Sequence, residues 1–381
     1  MGRFPKGSSI AQREVAIMKR SNASAETPKN ILVIRPDEIG DAVLNTIFLK
    51  GLKSLWPKTP ITLICRPKLI SFYKDCPWID HILPLEVKPR RRVFGLMPAL
   101  LFGFKLRRHH FDTVLLPRYG PDYYGTVWMA VACGAARREG FTESVKYWGF
   151  LASKILTRVW PVRNHHQHEA ENLGDALKDL GLPKPSLNLD LWITPRERKQ
   201  AESKFRHWKL KGKVVAVGIG AGVKRRQWPV ENYADVLNSI SVSGLLIGGA
   251  EDSILAKRFL KSSRTKVVNA CGLSFRQTIA LLEQCDAFVG NDSGPMHLAA
   301  GVGLPVVEVS AHSKRGSQSH ANSPKRFGPW GAPHIIVQPK YPMPPCVDGC
   351  DADIPHCILQ VKPKEVKAAA GRLLSKKIRS K

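Results

Sequence analysis

Ala287-Phe288-Val289-Gly290-Asn291-Asp292-Ser293-Gly294-Pro295-Met296-His297 holds the unit from which the whole chain is built. Three apolar residues of strand type give way to a polar turn, and a helix opens at Gly294-Pro295. Proline suits the first helical position because its missing N–H would be unpaired there in any case, and Asp292 or Ser293 can cap the helix. The free amides and dipole of such a helix start attract an anion, an effect worth up to about 1 kcal/mol at an exposed site. Gly294 leaves space for a ligand to approach the backbone, and His297 falls one turn on, on the helix face of Ser293. Spacing alone leaves two readings open, a plain capped helix and an anion site.

The same strand–turn–helix unit recurs outward from this stretch. Residues 31–34 read as a buried strand, and residues 42–55 carry apolar side chains at helical spacing as far as Pro57. Strands are expected at 61–64, 81–85 and 113–116, with a helix at 125–136. Residues 140–191 are less regular. They hold a helix at 169–180, then Gly181-Leu182-Pro183-Lys184-Pro185, a linker candidate. The alternation restarts with strands at 214–218, 244–248, 287–289 and 306–309. Helices are expected at 232–240, 254–260, 275–285 and 295–300. Repeated βα units argue for an α/β protein with parallel sheets covered by helices on both faces. A chain of 381 residues has room for two doubly wound domains of about 150 residues each. The expected division is a flexible basic tail (1–29), an N-terminal acceptor-binding domain (30–185), a C-terminal nucleotide-sugar-binding domain (186–345), and a Cys-containing segment with a basic helix (346–381). Ligand groups are then expected at the carboxyl ends of strands, in the cleft between the domains.

Three other strand-end loops carry chemistry. Arg35-Pro36-Asp37-Glu38-Ile39-Gly40-Asp41 delivers three carboxylates after the first strand. Asp41 stands where a helix begins, which suits an N-cap or a general base at the cleft. Gly220-Ala221-Gly222-Val223-Lys224-Arg225-Arg226-Gln227-Trp228-Pro229 combines glycines with three consecutive cations suited to phosphates and a leaving diphosphate. Gly248-Gly249-Ala250-Glu251-Asp252 offers a carboxylate for ribose hydroxyls, or only a turn and helix cap.

Charge is the unusual bulk property: 59 Lys and Arg against 31 Asp and Glu give a net charge of +28. Such a surface is drawn to nucleic acid, anionic membrane or a phosphorylated substrate. The charge concentrates in residues 1–29, in residues 362–381, and in the patch Lys88-Pro89-Arg90-Arg91-Arg92. Aromatic-interleaved basic motifs of a nucleic-acid-binding module are missing, so no specific nucleic-acid partner is expected. The sequence has no uncharged apolar run of membrane-spanning length. Residues 93–106 are apolar and flanked by arginines, which fits equally a helix lying on an anionic membrane and an ordinary buried helix. The first stretch lacks the apolar core of a signal peptide, and the eight cysteines are read as free thiols in the cytoplasm.

Taken together, these segments resemble glycosyltransferase family nine, the ADP-heptose:lipopolysaccharide heptosyltransferases. The resemblance rests on residues 31–41, Trp228-Pro229, residues 248–252 and residues 290–300, and it runs from about Asn30 to Val366. It implies two facing Rossmann-like domains of GT-B type with the active site in the cleft. It further implies inverting transfer without metal or other cofactor, from ADP-heptose or a related nucleotide sugar to the lipid A inner core. Asp41 then matches the catalytic base. Asp292, Ser293, Gly294 and His297, with Gly220 and Arg226, match the donor site, and Asp252 or Glu251 falls near the ribose-contacting acid. Arg35, Lys88, Arg90, Arg91, Arg92, Lys224 and Arg225 are the cations expected to meet the anionic lipid-linked acceptor, with the protein peripheral to the inner membrane face. The basic stretch before Asn30 and residues 313–333 depart from the family's pattern.

Two clusters suggest metal. Cys346, Cys350, His356 and Cys357 have ligand types suited to zinc, but their spacing matches no standard zinc pattern, so they are read as free thiols. His165-His166-Gln167-His168 precedes a helix and reads as surface or cap. Apart from sugar transfer, the charge admits a nucleic-acid-binding protein and the two-domain layout admits a nucleotide-sugar epimerase. Donor-dependent sugar transfer discriminates among the three.

Overall fold

The run Ile-Leu-Val-Ile of strand β1 (Ile31–Ile34) is buried along its whole length, as only a sheet covered on both faces allows. In this computed structural model, which describes residues 26–85, 96–141 and 155–375, β1 lies inside a six-stranded parallel sheet. The order is β3 (His81–Pro84), β2 (Ile61–Cys65), β1, β4 (Thr113–Leu116), β5 (Arg137–Phe141) and β6 (Arg158–Trp160). A second six-stranded parallel sheet has the same order: β9 (Val267–Asn269), β8 (Ser243–Ile247), β7 (Val214–Gly218), β10 (Ala287–Asn291), β11 (Val306–Val309) and β12 (His334–Val337). In each sheet the chain moves outward from its first strand, then returns to that strand's other side. The loops after β1 and β4, and after β7 and β10, therefore open a crevice at a switch point. These are the two Rossmann-like domains expected from the βα alternation.

All eight expected strands are present; β5, β6, β9 and β12 were not expected. The first of these, Arg-Arg-Glu-Gly-Phe, hides its period because Glu139 is buried, where it pairs with Arg137 and accepts from Trp160 Nε1 at 2.9 Å. Strands β6 and β9 span only three residues, and β12 is a partly exposed edge. Helix ends moved for identifiable reasons. The helix expected to reach residue 136 is Thr126–Ala132, stopped before Gly134, whose φ of 81° needs no Cβ. Gly181, expected in a linker, ends the helix Glu169–Asp179 with φ 109°. The C-terminal helix Pro363–Ser375 packs on β10, β11 and β12.

The helix Leu96–Leu106, inside the apolar stretch 93–106, has one buried and one exposed face. Gly103 lies against the Met129 backbone and Ala132, so one face is buried on Thr126–Ala132. Met97, Leu101 and Phe104 stand on the other face, 63%, 57% and 50% exposed.

The two sheets share a core. One apolar cluster joins Ile31, Phe48 and Trp160 to Phe288, Met296 and Leu298. Polar ties flank it: Arg276 pairs with Glu197 at 2.6 Å and donates to the Lys74 carbonyl at 2.9 Å. Arg276 therefore bridges the second half of the chain to the first.

Candidate active site

Two helix starts meet across the domains. The helix Ile39–Leu55 follows β1, and the helix Gly294–Gly301 follows β10; the two pack against each other. A Cβ on Gly294 would collide with the Ile39 side chain, and one on Gly40 would lie 2.5 Å from His297 Cδ2. The space at Gly294, expected to admit a ligand, is therefore filled by Ile39 of the opposite domain. Glycine is needed there because the Ile39 side chain occupies the place a Cβ would take.

Asp41 is the third residue of its helix. Glu38 holds the N-cap position and makes no side-chain cap, so the N-cap reading of Asp41 is corrected. The Asp41 carboxylate instead accepts from Arg35 Nη2 at 3.2 Å. Arg35, expected to face the acceptor, is 1% exposed and enclosed by carboxylates. Its Nε lies 2.8 Å from Asp37 and its Nη2 lies 3.0 Å from Glu169, while its Nη1 donates to the Pro117 carbonyl after β4. Burial pulls its guanidinium down, but Glu169 and Asp41 more than offset this and hold it above its ordinary value. Arg118 pairs with the other oxygen of Asp37. Two guanidinium groups against three carboxylates leave one formal negative charge. Of the three carboxylates only Asp41, with its side chain 26% exposed, reaches solvent. Burial raises the Glu169 carboxyl above its usual value despite Arg35.

Glu169 was missed from sequence because it lies 134 positions from Arg35. The signal beside it is His168, which caps the helix Glu169–Asp179 through Nδ1, accepting from the Ala170 N–H at 3.1 Å. His168 Nε2 then donates to the Gly328 carbonyl at 3.1 Å, and the ring stacks on Trp330. Burial pushes His168 down to about 3, so it is neutral as this bonding pattern requires. The cap reading of the His cluster holds for this residue.

On the second domain, Asp292 pairs with Arg226 Nη1 at 3.1 Å, and Arg226 also donates to Asn322. Ser293 donates to the Asn291 carbonyl at 3.2 Å and does not cap its helix through its side chain. His297 is buried and shifted down, by burial first, against the pull of Asp292 and Asp41. Its Nδ1 has no hydrogen-bond partner among the described residues. Asn291, overlooked in the sequence, is fully buried. Its Oδ1 accepts from Trp228 N–H (2.9 Å) and Tyr233 OH (2.8 Å), and its Nδ2 donates to the Ile219 carbonyl at 3.2 Å. This locks the loops after β7 and β10 together at the switch point. Burial and the nearby Glu251 raise Asp252, which accepts from Gly249 N–H at 2.9 Å. Its carboxylate lies over Gly220 and Gly248, where any Cβ would collide with it. Glu251 and Lys224 are exposed, and Arg225 is half-buried. Lys88, Arg90, Arg91 and Arg92 lie outside the described residues.

The structure thus brings Arg35, Asp41, His297, Asp292 and Arg226 together from both domains. Asp252 and Gly220 lie at the next strand end. Two facing Rossmann-like domains with this layout define the GT-B class of glycosyltransferases. Residues 101–353 match Glycosyltransferase family 9 (heptosyltransferase), more than half of the chain, and the protein belongs to that family. It is a glycosyltransferase, which sets aside the nucleic-acid-binding and epimerase readings of the sequence. The chain is 24% identical over 303 residues to lipopolysaccharide heptosyltransferase 2 of Salmonella typhimurium, covering 73% of this chain and 82% of that protein. Among solved structures it resembles a family 9 glycosyltransferase from Veillonella parvula, with TM-score 0.74, 22% identity, and 93% and 99% of the two chains covered. It also resembles E. coli ADP-heptose lps heptosyltransferase II, with TM-score 0.66, 19% identity, and 91% and 98% covered. At these identities the structural likeness shows the fold.

Proposed function

We propose that the protein transfers a heptose from ADP-heptose to the inner core of lipopolysaccharide, with inversion and without a metal ion at the reacting centre. Residues 30–185 bind the acceptor and residues 186–345 the donor. The names of the relatives support the sugar and the acceptor. The observation that carries the chemistry is Asp41, the one carboxylate of the Arg35 cluster that reaches solvent, beside a donor-type helix start.

In this reading Asp41 takes the proton of an acceptor hydroxyl as that oxygen attacks the anomeric carbon. The ADP departs from the opposite face, and one such carboxylate suffices for inversion. Arg35 and Glu169 are positioning residues that hold the Asp41 carboxylate. Arg226 and the amides of Ser293 and Gly294 meet the charge growing on the diphosphate. Asp292 holds Arg226 and does not itself touch phosphate, because a carboxylate there would repel it. Neutral His297 offers a hydrogen bond without adding charge, and Asp252, with Glu251 beside it, faces the ribose. Lys224 and Arg225 remain for acceptor phosphates.

The same proposal places the protein in the cytoplasm at the inner membrane face. No helix among the described residues is long and apolar enough to cross a membrane. Met97, Leu101 and Phe104 form an exposed apolar stripe, with Arg107 over the Phe104 ring at 4.5 Å and Arg108 beside it. A basic, apolar face of this kind suits an anionic bilayer.

The test is Asp41→Ala, assayed by product mass with ADP-heptose and a lipid A core acceptor. Transfer should vanish while calorimetric ADP affinity is kept. Transfer at the normal rate by this variant would remove Asp41 from the mechanism.

A further inference from the structure

Cys346, Cys350, His356 and Cys357 lie between β12 and the helix Pro363–Ser375, away from the helix starts just described. Their sulfur atoms and an imidazole nitrogen all fall within 4.8 Å of one another. His356 Nδ1 is 3.6 Å from Cys346 Sγ and 3.5 Å from Cys357 Sγ. A tetrahedral ion with metal–sulfur bonds of about 2.3 Å and a metal–nitrogen bond of about 2.05 Å sets its S···N edges at about 3.6 Å. Two edges of the cluster already have that length.

The alternatives account for less. Free thiols pack as small apolar groups, which gives no reason for three of them to converge on one imidazole nitrogen. A disulfide would use two sulfurs and leave the third and the histidine unexplained, and all eight cysteines are free. The surroundings suit thiolate ligands. Cys357 Sγ accepts the Met343 N–H at 3.3 Å, the outer-shell bond a metal-bound sulfur takes. Cys350 and Cys357 are buried in one apolar cluster with Trp228, Ile358 and Val361, while Cys346 and His356 are half-buried and give an ion its way in.

We propose that Cys346, Cys350, His356 and Cys357 form a closed tetrahedral zinc site. Three thiolates and one imidazole fill the coordination sphere, so the ion takes no part in sugar transfer. Its role is to hold the loop that braces the donor side. Asp348, between the first two cysteines, accepts from the Ser317 N–H at 2.7 Å through its carbonyl, and Asp351 lies 3.7 Å from His320 Nε2. Those contacts fasten the segment that carries Asn322, the partner of Arg226. The spacing Cys-x3-Cys-x5-His-Cys hides the site in sequence because two ligands are adjacent in the chain.

The test uses the full chain, purified reduced and without chelator. Elemental analysis should find one zinc per chain, and cobalt exchanged into the site should show thiolate charge-transfer and tetrahedral ligand-field absorption. Cys346→Ser should weaken zinc binding at least about tenfold in chelator competition, with the far-ultraviolet circular dichroism unchanged. Cys285→Ser, outside the cluster, should leave zinc content alone. Should Cys346→Ser fail to fold, stripping zinc from the wild-type chain should lower its melting temperature, and zinc but not magnesium should restore it. Folded, metal-free protein with all cluster thiols freely titrating, or a disulfide within the cluster, would overturn the site. Stoichiometric iron would overturn zinc as its ion.

Discussion

Glu308 in β11 is a buried carboxyl with little around it to compensate a charge. It is fully buried, and neither carboxylate oxygen makes a well-formed hydrogen bond to the described residues. Burial, then Asp292, hold its carboxyl well above the usual range, with Ser310 and Arg226 opposing weakly. The native state therefore keeps this proton to a higher pH than the unfolded chain does. Glu308's contribution to stability is fully present below its unfolded value of about 4.3 and is lost as pH rises above it. Glu308→Gln should raise the melting temperature, by a margin that grows from about pH 5 to about pH 8. A margin that shrinks over that range would mean that the native carboxylate is ionised and paired. Arg35 is the contrasting case. It is equally buried, but Asp37, Asp41 and Glu169 answer its charge. Arg35 and Asp41 were legible as a strand-end loop. Their partner Glu169 was not, because an ion pair across 134 positions leaves no local pattern.

At the scale of elements, the contact between the helices Ile39–Leu55 and Gly294–Gly301 governs the site. Gly294→Leu should drive Ile39 away and weaken ADP binding by at least about tenfold, or about 1.4 kcal/mol, in calorimetry. Adding Ile39→Ala should recover part of the loss, since the two positions share one contact. An unchanged dissociation constant in the single variant would separate this helix start from the donor phosphates. The helix Leu96–Leu106 carries the membrane proposal. Leu101→Glu places a charge in its exposed stripe and should cut cosedimentation with anionic vesicles, while ADP affinity stays the same. Vesicle binding equal to wild type would leave the stripe without a role. These helices were legible as apolar patterns. The sharing of the faces of Leu96–Leu106 between protein and solvent was not, because Phe102 and Phe104 read alike in sequence and only the packing of this helix on Thr126–Ala132 separates them.

Across the whole molecule, the shared apolar core and the Arg276 bridge make the two domains depend on each other. Heating should give one cooperative transition seen alike by calorimetry and circular dichroism. ADP at a hundred times its dissociation constant should stabilise the entire transition by about 2.7 kcal/mol. Two separate transitions, with only one moved by ADP, would mean that the domains fold independently. Net charge acts at this scale too. At +28, association with anionic vesicles should weaken steeply with salt, because exposed charges are screened beyond about 8–10 Å.

The sequence by itself determined the two parallel α/β halves, because buried strands and amphipathic helices each impose a period that can be read locally. It also marked the loops after β1, β7, β8 and β10, since glycines and charges at strand ends break those periods. Only the tertiary structure decided which loops face one another. It set Ile39 against Gly294, gathered three carboxylates around Arg35, left Asp41 alone at the surface of that cluster, and drew three cysteines and a histidine to one point. Each of these depends on residues far apart in the chain or on an unusual spacing, and closing the chain around a shared core is what brings them into reach.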